Sequence, residues 1–190
     1  PFRSNLKVRQ IIGQARKKLQ EALTKLYPGE LVLSFDIDVQ HEMMIKKICS
    51  ENGVPSNTAS PAKLGPAMCV PYGNILDRYI IPNTVTKALH TEKLFRPDLN
   101  SFEIGPYPYY LNLEIQSKVI RSFERPVILV DDLLHNGHRI KAVDSVFKNE
   151  NISVQKIIVG ILTGRGKGLM DMQGRNVDSV YFLPCLKVWF

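Results

Sequence analysis

The sequence predicts an α/β fold: an open, mostly parallel twisted sheet flanked by helices, with an extra helix at the N-terminus. Three apolar runs, Val127–Val130, Lys156–Leu162 and Val177–Leu183, are typical of strands that are buried on both faces. Segments with helical or turn character separate these runs, and strands that alternate with helices favour a parallel sheet. The length of 190 residues suits one domain with a substantial core.

The first part of the chain is predicted to begin with an amphipathic helix over about 4–26, where apolar residues recur at intervals of three to five. Tyr27–Gly29 should end this helix. A strand is expected over 30–36 and a helix over about 40–52. Residues 53–66 are rich in Pro, Ser, Asn and Gly, which predicts a loop.

The middle of the chain is expected to be less regular. Short apolar runs at Ala67–Val70 and Tyr79–Ile81 predict two brief strands. Residues 83–95 fit either a helix or a mobile segment, and 96–109 should be irregular because of their Arg-Pro, Gly-Pro and Tyr-Pro pairs. A helix is expected over 110–123.

Towards the C-terminus, a helix is predicted over 138–148, between the first two apolar strands. A glycine-rich turn that includes Thr163–Gly168 is expected between the last two strands. We expect residues 1–190 to form a single domain, with a core over about 30–190. Because the chain opens without Met and stops within an apolar stretch, we also expect it to be a fragment of a longer protein.

The composition limits the classes of function. The net charge of +7 is consistent with a phosphorylated ligand. Nucleic acid is not expected as a partner, because much of this charge lies near the N-terminus and fits a solvated helix face. No apolar run is long enough to cross a bilayer, so no membrane partner is expected. The three cysteines form no recognisable disulfide framework or metal site, which predicts a reducing, cytoplasmic location and no metal held by protein side chains alone.

The most informative segment is Arg125–Ile140, where a buried strand leads to two acidic residues, a glycine and a helix. Ligands of open α/β sheets bind at the carboxyl ends of the strands, where Asp131 and Asp132 are expected to lie. Gly137 permits a tight turn with positive φ, and the following helix directs its N-terminal amides at an anion. A sugar phosphate offers hydroxyls to the two carboxylates and a phosphate to the amides.

The run VILVDDLLHNGHR, from Val127 to Arg139, resembles the ribose-phosphate loop of the type I phosphoribosyltransferases. The pattern of that family is four apolar residues, two acidic ones, two apolar ones, a short hydroxyl-rich or acidic stretch, Gly, any residue and Thr. The resemblance implies a site for phosphoribosyl pyrophosphate (PRPP) with Mg²⁺, in which Asp131 and Asp132 hold the ribose hydroxyls. It also implies that the 5-phosphate is held by the backbone amides of His135, Asn136, Gly137, His138 and Arg139.

Other segments agree with this resemblance. Lys156–Arg165 and Val177–Pro184 are similar to the last two core strands of the regulatory uracil branch of the family. The pyrophosphate loop of the family would correspond to Asp36–Asp38 or to Pro71–Asn74. Lid or pyrophosphate contacts are expected from three basic residues, Lys87, Arg165 and Lys167.

The run departs from the family pattern at three positions. Asn136 stands where a hydroxyl-bearing residue is expected, and Arg139 replaces the Thr. His135 stands where purine-salvage members have a carboxylate base, which makes it the candidate catalytic base. Two alternatives follow: an active transferase that uses PRPP and Mg²⁺, or a regulatory or structural module that has lost catalysis. Its protein partners would be a second copy, in a homodimer, or other domains of a longer chain.

A second, weaker resemblance involves the same residues. Asp132–His138 also fits the D-x-x-H-x-G-H motif of the cytidylyltransferase-like nucleotidyltransferases, in which two histidines one turn apart stabilise charge on phosphates. That motif normally follows the first strand of its domain, whereas here it lies late in the chain. Nucleotidyl transfer is therefore the alternative to the ribose-phosphate site.

Overall fold

The computed structural model describes residues 5–57, 63–73, 75–76 and 80–189. The chain divides into two compact units, Pro1–Asp38 and Val39–Phe190. None of the described helices is long and apolar enough to cross a membrane.

The first unit contains the predicted N-terminal helix, α1 (Leu6–Leu26). Its cap is Asn5, whose side chain accepts hydrogen bonds from the amides of the first turn, at 3.0 Å from Lys7 N. The strand predicted over 30–36 is wrong, because residues 31–36 have no regular structure. This segment is hydrogen-bonded to α1 by a side chain, because Gln20 Nε2 donates to the carbonyl of Val32 at 3.0 Å.

The second unit is built on a five-stranded sheet in the order β2-β1-β5-β6-β7, and every neighbouring pair of strands is parallel. This topology confirms the predicted α/β fold with an open parallel sheet. The strands and helices, of which α2 begins at the end of the first unit, are α2 (Ile37–Glu51), β1 (Met68–Pro71), β2 (Val85–Thr86), β3 (Thr91–Phe95), β4 (Phe102–Pro106), α3 (Leu113–Arg121), β5 (Val127–Leu134), α4 (His138–Asn149), β6 (Val154–Thr163), α5 (Gly164–Met172) and β7 (Val177–Leu183).

The central strand β5 is buried on both faces, which explains its continuous apolar run. Val127 and Leu129 belong to one hydrophobic cluster, to which α3, α4 and α5 contribute side chains. Ile128 and Val130 belong to a second cluster on the opposite face, where α2 packs. The alternation of side chains along a strand assigns successive residues to these two layers.

The sheet corrects several expectations for the middle of the chain. Residues 83–95 do not form a helix. They are not irregular along their whole length either, because they contain β2 and β3. The region 96–109 is not wholly irregular, since its strand β4 pairs with β3 in an antiparallel hairpin. Its Arg-Pro pair lies in the turn between the two strands, where proline, which has no amide donor, interrupts no strand pairing. In the predicted strand Tyr79–Ile81, the last two residues have no strand structure and Tyr79 lies outside the described residues.

The glycine-rich turn predicted at Thr163–Gly168 is a helix instead. Thr163 is the N-cap of α5, and its hydroxyl accepts from the amide of Gly166 at 3.1 Å. Gly166 is fixed by close packing, because a Cβ at this position would overlap the carbonyl of Leu134. Close approach to β5, rather than turn geometry, therefore accounts for this glycine.

Replacement of Leu129 tests the burial of β5. Leu129 is fully buried, so Leu129→Ala should lower the free energy of unfolding by about 3 kcal/mol, through lost burial and the cavity left behind. Leu111→Ala is the matched control, because Leu111 is 57% exposed and its replacement should cost less than about 0.5 kcal/mol. Urea denaturation of both variants measures the difference, and equal losses would contradict this assignment of the core.

Candidate functional site

The sheet has a topological switch point between β1 and β5. The chain leaves β1 for β2 on one side, whereas β5 leads through α4 to β6 on the other side. Open parallel sheets bind ligands in the crevice outside the strands at such a point. The last residue of β1, Pro71, pairs with Val130, whereas the pairing of β5 with β6 continues to Leu134. The residues after Val130 therefore extend past the end of β1 towards the crevice.

Asp131 and Asp132 are the first residues of β5 beyond the end of β1. They lie within the strand, not after it, because β5 is longer than the apolar run predicted. Asp131 is only 3% exposed, and its Oδ1 lies 3.3 Å from Arg139 Nη1. Asp132 is exposed. Of the two carboxylates predicted to hold ribose, only that of Asp132 is therefore open to solvent.

Burial dominates the electrostatics of this pair. Removal from water raises the pKa of Asp131 well above its ordinary value, and the adjacent carboxylate of Asp132 raises it further. The guanidinium of Arg139 opposes both effects. The phenol of Tyr72 is also fully buried, and its pKa is raised by burial and then by the charge of Asp131.

Gly73 is a component of this site that the sequence did not single out by itself, although Pro71–Asn74 was one candidate for a pyrophosphate loop. A Cβ on Gly73 would overlap the carboxylate of Asp131 and lie 2.8 Å from Arg139 Nη1. The backbone after β1 therefore covers the ion pair of Asp131 and Arg139 directly. The available signal was a glycine two residues after a buried strand that neighbours the acidic pair. Asn74 lies outside the described residues.

The predicted phosphate loop, residues 135–139, contains Gly137, which has φ of 66° and is the N-cap of α4. No side chain caps this helix. In the described part of the chain, the backbone amides of residues 136–140 donate to no carbonyl or side chain. Free amides and the dipole at a helix N-terminus favour an anion, so the predicted phosphate position next to Asp132 stays a prediction.

The side chains of the loop contact different neighbours. His135 Nδ1 lies 2.9 Å from the hydroxyl of Thr163, and its ring packs edge-on against Trp189 with centroids 5.4 Å apart. The ring of His138 packs edge-on against Phe102 of β4, with centroids 5.1 Å apart. The Oδ1 atom of Asn136 is buried and has no hydrogen-bond partner in the described structure.

The three predicted lid or pyrophosphate residues lie in two different places, Lys87 directly after β2 and the other two on α5. Lys87 lies beside Cys69 of β1, because its amide donates to the carbonyl of Cys69 at 3.0 Å and so continues the β1–β2 pairing. Arg165 is exposed on α5. Lys167, also on α5, is bound to Asp171 one turn later, at 2.9 Å. Their role as ligand contacts stays a prediction.

No group of three His, Cys, Asp or Glu side chains within the described ranges is arranged to hold a metal ion. The other candidate for the pyrophosphate loop, Asp36–Asp38, lies in the first unit.

No protein-family model matches the chain, and no curated protein sequence is similar to it. Several solved structures resemble the fold at low identity. An adenine phosphoribosyltransferase from Thermoanaerobacter pseudethanolicus has a TM-score of 0.40 and 13% identity, over 77% of this chain and 79% of that one. TT1426 from Thermus thermophilus has a TM-score of 0.45 and 14% identity, over 80% and 86%. The AQ2163 protein from Aquifex aeolicus has a TM-score of 0.42 and 14% identity, over 75% and 69%. At these values the likeness does not by itself assign a family.

The contact of Gly73 with the ion pair predicts the cost of a side chain there. Gly73→Ala should lower the free energy of unfolding by about 1–3 kcal/mol, because the new methyl group must displace a buried carboxylate. Gly168→Ala is the control, since a Cβ at this position in α5 meets no atom within 4 Å. That control should stabilise the chain by about 0.5–1 kcal/mol. Chemical denaturation compares the variants, and a neutral Gly73→Ala would contradict the close approach.

The raised pKa of Asp131 predicts a dependence of stability on pH. Above the ordinary carboxyl pKa of about 3.9, the folded chain retains a proton on Asp131 that the unfolded chain has lost. The free energy of unfolding should therefore fall as the pH rises towards the raised pKa. Asp131→Asn cannot titrate, so its stability should fall less over the same pH range. Denaturation curves measured from about pH 4 to about pH 8 test this, and equal slopes would refute it.

Proposed function

We propose that the second unit binds a ribose phosphate such as PRPP, together with Mg²⁺, at the end of β5 and the start of α4. One observation carries the proposal: the amides of residues 136–140 are unoccupied donors at the switch point, immediately after an acidic pair. Backbone amides at a helix N-terminus hold a phosphate without help from a particular side chain. The loss of the family's hydroxyl residue at Asn136 is therefore compatible with binding.

Different polar groups would bind the phosphate and the ribose of the ligand. The 5-phosphate would lie against the amides that begin α4, and the exposed carboxylate of Asp132 would accept hydrogen bonds from the ribose hydroxyls. Arg139 Nη1 contacts Asp131, and the Nε of the same guanidinium is buried without a partner in the described structure. An anion in the loop would give this guanidinium a second partner beside Asp131.

The site also fits Mg²⁺ that arrives with its ligand. Mg²⁺ prefers oxygen ligands and is commonly held by one or two carboxylates plus the phosphates of a substrate. Asp132 is an exposed carboxylate next to the phosphate loop, so it would be the protein ligand, and the pyrophosphate would supply the others. When bound, the ion would neutralise charge on the pyrophosphate leaving group.

The proposal leaves two cases for the bound ligand, catalytic turnover or binding alone. A transferase would displace pyrophosphate from the anomeric carbon of the ribose with a base or an amine. His135 is the candidate base, and because its Nδ1 lies against the hydroxyl of Thr163, Nε2 is the nitrogen left to accept a proton. The burial of Asp131 under Gly73 favours the alternative of a binding module, because only one carboxylate of the pair is exposed for catalysis.

Nucleotidyl transfer is not favoured. That reaction needs both histidines of the D-x-x-H-x-G-H motif to act on the same phosphate groups. His135 contacts Thr163 and Trp189, whereas His138 packs against Phe102 of the hairpin formed by β3 and β4.

Calorimetric titration with PRPP and Mg²⁺ tests the proposed site. Asp132→Asn should weaken binding on the order of tenfold, because a charged hydrogen-bond acceptor is lost. Asp98→Asn removes the same charge from the exposed hairpin turn and should change the dissociation constant by less than about twofold. Equal affinity of Asp132→Asn and the unchanged chain would refute the assignment of this site.

The same titration, repeated with CTP and with ATP, separates the two classes of enzyme. Binding of a nucleoside triphosphate in place of PRPP would overturn the ribose-phosphate proposal. Where PRPP binds, release of pyrophosphate in the presence of candidate bases distinguishes a transferase from a binding module. His135→Ala should then abolish release and leave PRPP affinity nearly unchanged, because the amides of residues 136–140 remain.

A further inference from the structure

The helix α1 carries an apolar seam with the spacing of a coiled coil. Six apolar residues follow one another at alternating intervals of four and three, which is the heptad pattern for a two-helix interface. No residue of α1 is buried. The seam consists of Val8, Ile12, Ala15, Leu19, Ala22 and Leu26.

We propose that this seam is the docking surface for an acidic α-helix of a partner protein, with which α1 forms a two-stranded coiled coil. The larger seam residues are substantially exposed: Ile12 at 44%, Leu19 at 59% and Leu26 at 68%. They occupy the a positions of successive heptads, and the alanines at two of the d positions let a second helix approach closely.

The residues that flank the seam determine the charge of the partner. Arg9 and Arg16 stand at e positions, and Lys18 and Lys25 stand at g positions. The only acidic residue of α1, Glu21, lies at a c position, away from the seam. Since e and g positions form the interhelical ion pairs of coiled coils, the partner needs carboxylates on both flanks.

The two flanks are not equivalent. Arg16 Nη1 already lies 3.7 Å from Asp36 Oδ2, so the chain supplies part of the counter-charge on the e flank. No ion pair is described for Lys18 or Lys25 on the g flank. The carboxylates of the partner should therefore act mainly on these two lysines.

Two other occupants of the seam fit less well, a second copy because of its charge and a lipid surface because of the apolar face that it needs. A second copy of α1 would place basic flanks against basic flanks in either orientation, and like charges at these positions destabilise the pair. An anionic lipid surface suits helices with a wide apolar face and aromatic anchors. Two of the six seam residues are alanines, and α1 contains no aromatic residue that could anchor it in a lipid surface.

Binding of the full chain to a synthetic coiled-coil peptide tests the proposal. The probe has four heptads, with Leu at a and d and Glu at e and g; a second peptide has Lys at e and g. Only the Glu peptide should bind, and its affinity should fall as salt is added. Lys18→Glu with Lys25→Glu should weaken binding on the order of tenfold, because two attractions become repulsions.

Two controls make the test specific. Lys7→Glu with Lys17→Glu reverses the same charges at c and f positions and should change affinity by less than about twofold. Leu19→Gln keeps a good helix former and should abolish binding through the seam. Equal losses from the two lysine pairs would overturn the proposal, as would binding to vesicles with 30% phosphatidylserine but not to the Glu peptide. A dimer of the chain in sedimentation that excludes the Glu peptide would overturn it in favour of a second copy.

Discussion

The geometry of the candidate site depends on the burial of one carboxyl, that of Asp131. A buried carboxyl must be neutralised or paired, and Asp131 has a raised pKa and a guanidinium 3.3 Å away. That guanidinium belongs to Arg139 in the first turn of α4, so the pair ties the start of the helix to the central strand. Gly73 lies over the same pair, which ties the end of β1 to both. Three elements therefore meet at one buried carboxyl, at the switch point between β1 and β5.

This arrangement separates a buried acidic residue from an exposed one. Asp131 is enclosed by Gly73 and Arg139, whereas its neighbour Asp132 remains exposed. The amides that begin α4 are held in place by the same ion pair, and because no side chain caps them, they remain available to an anion. The buried carboxyl of Asp131 therefore connects the central strand to the helix N-terminus at which we propose that a phosphate binds.

The sequence predicted the central strand and α4 well because both follow strong local signals, an apolar run and a glycine before an amphipathic segment. It did not predict the β3–β4 hairpin, since its prolines suggested irregularity and its strands alternate only partly in burial. It predicted α5 as a turn because glycines favour turns, whereas Gly166 is required by packing against Leu134. The enclosure of Asp131 by Gly73 was also out of reach, because those residues are far apart in the chain and only the parallel pairing of β1 with β5 brings them together.

The distribution of charge distinguishes the proposed phosphate site of the second unit from the proposed docking surface on α1. The helix α1 has six basic residues and one acidic residue, so it contributes five of the seven net positive charges of the chain. The rest of the chain is nearly balanced, and the net charge is therefore not evidence for a phosphate ligand in the second unit. Recognition of a phosphate there must depend on backbone amides and on Arg139, which act at short range and are little screened by salt. Binding at the exposed seam of α1 should instead weaken as salt is added.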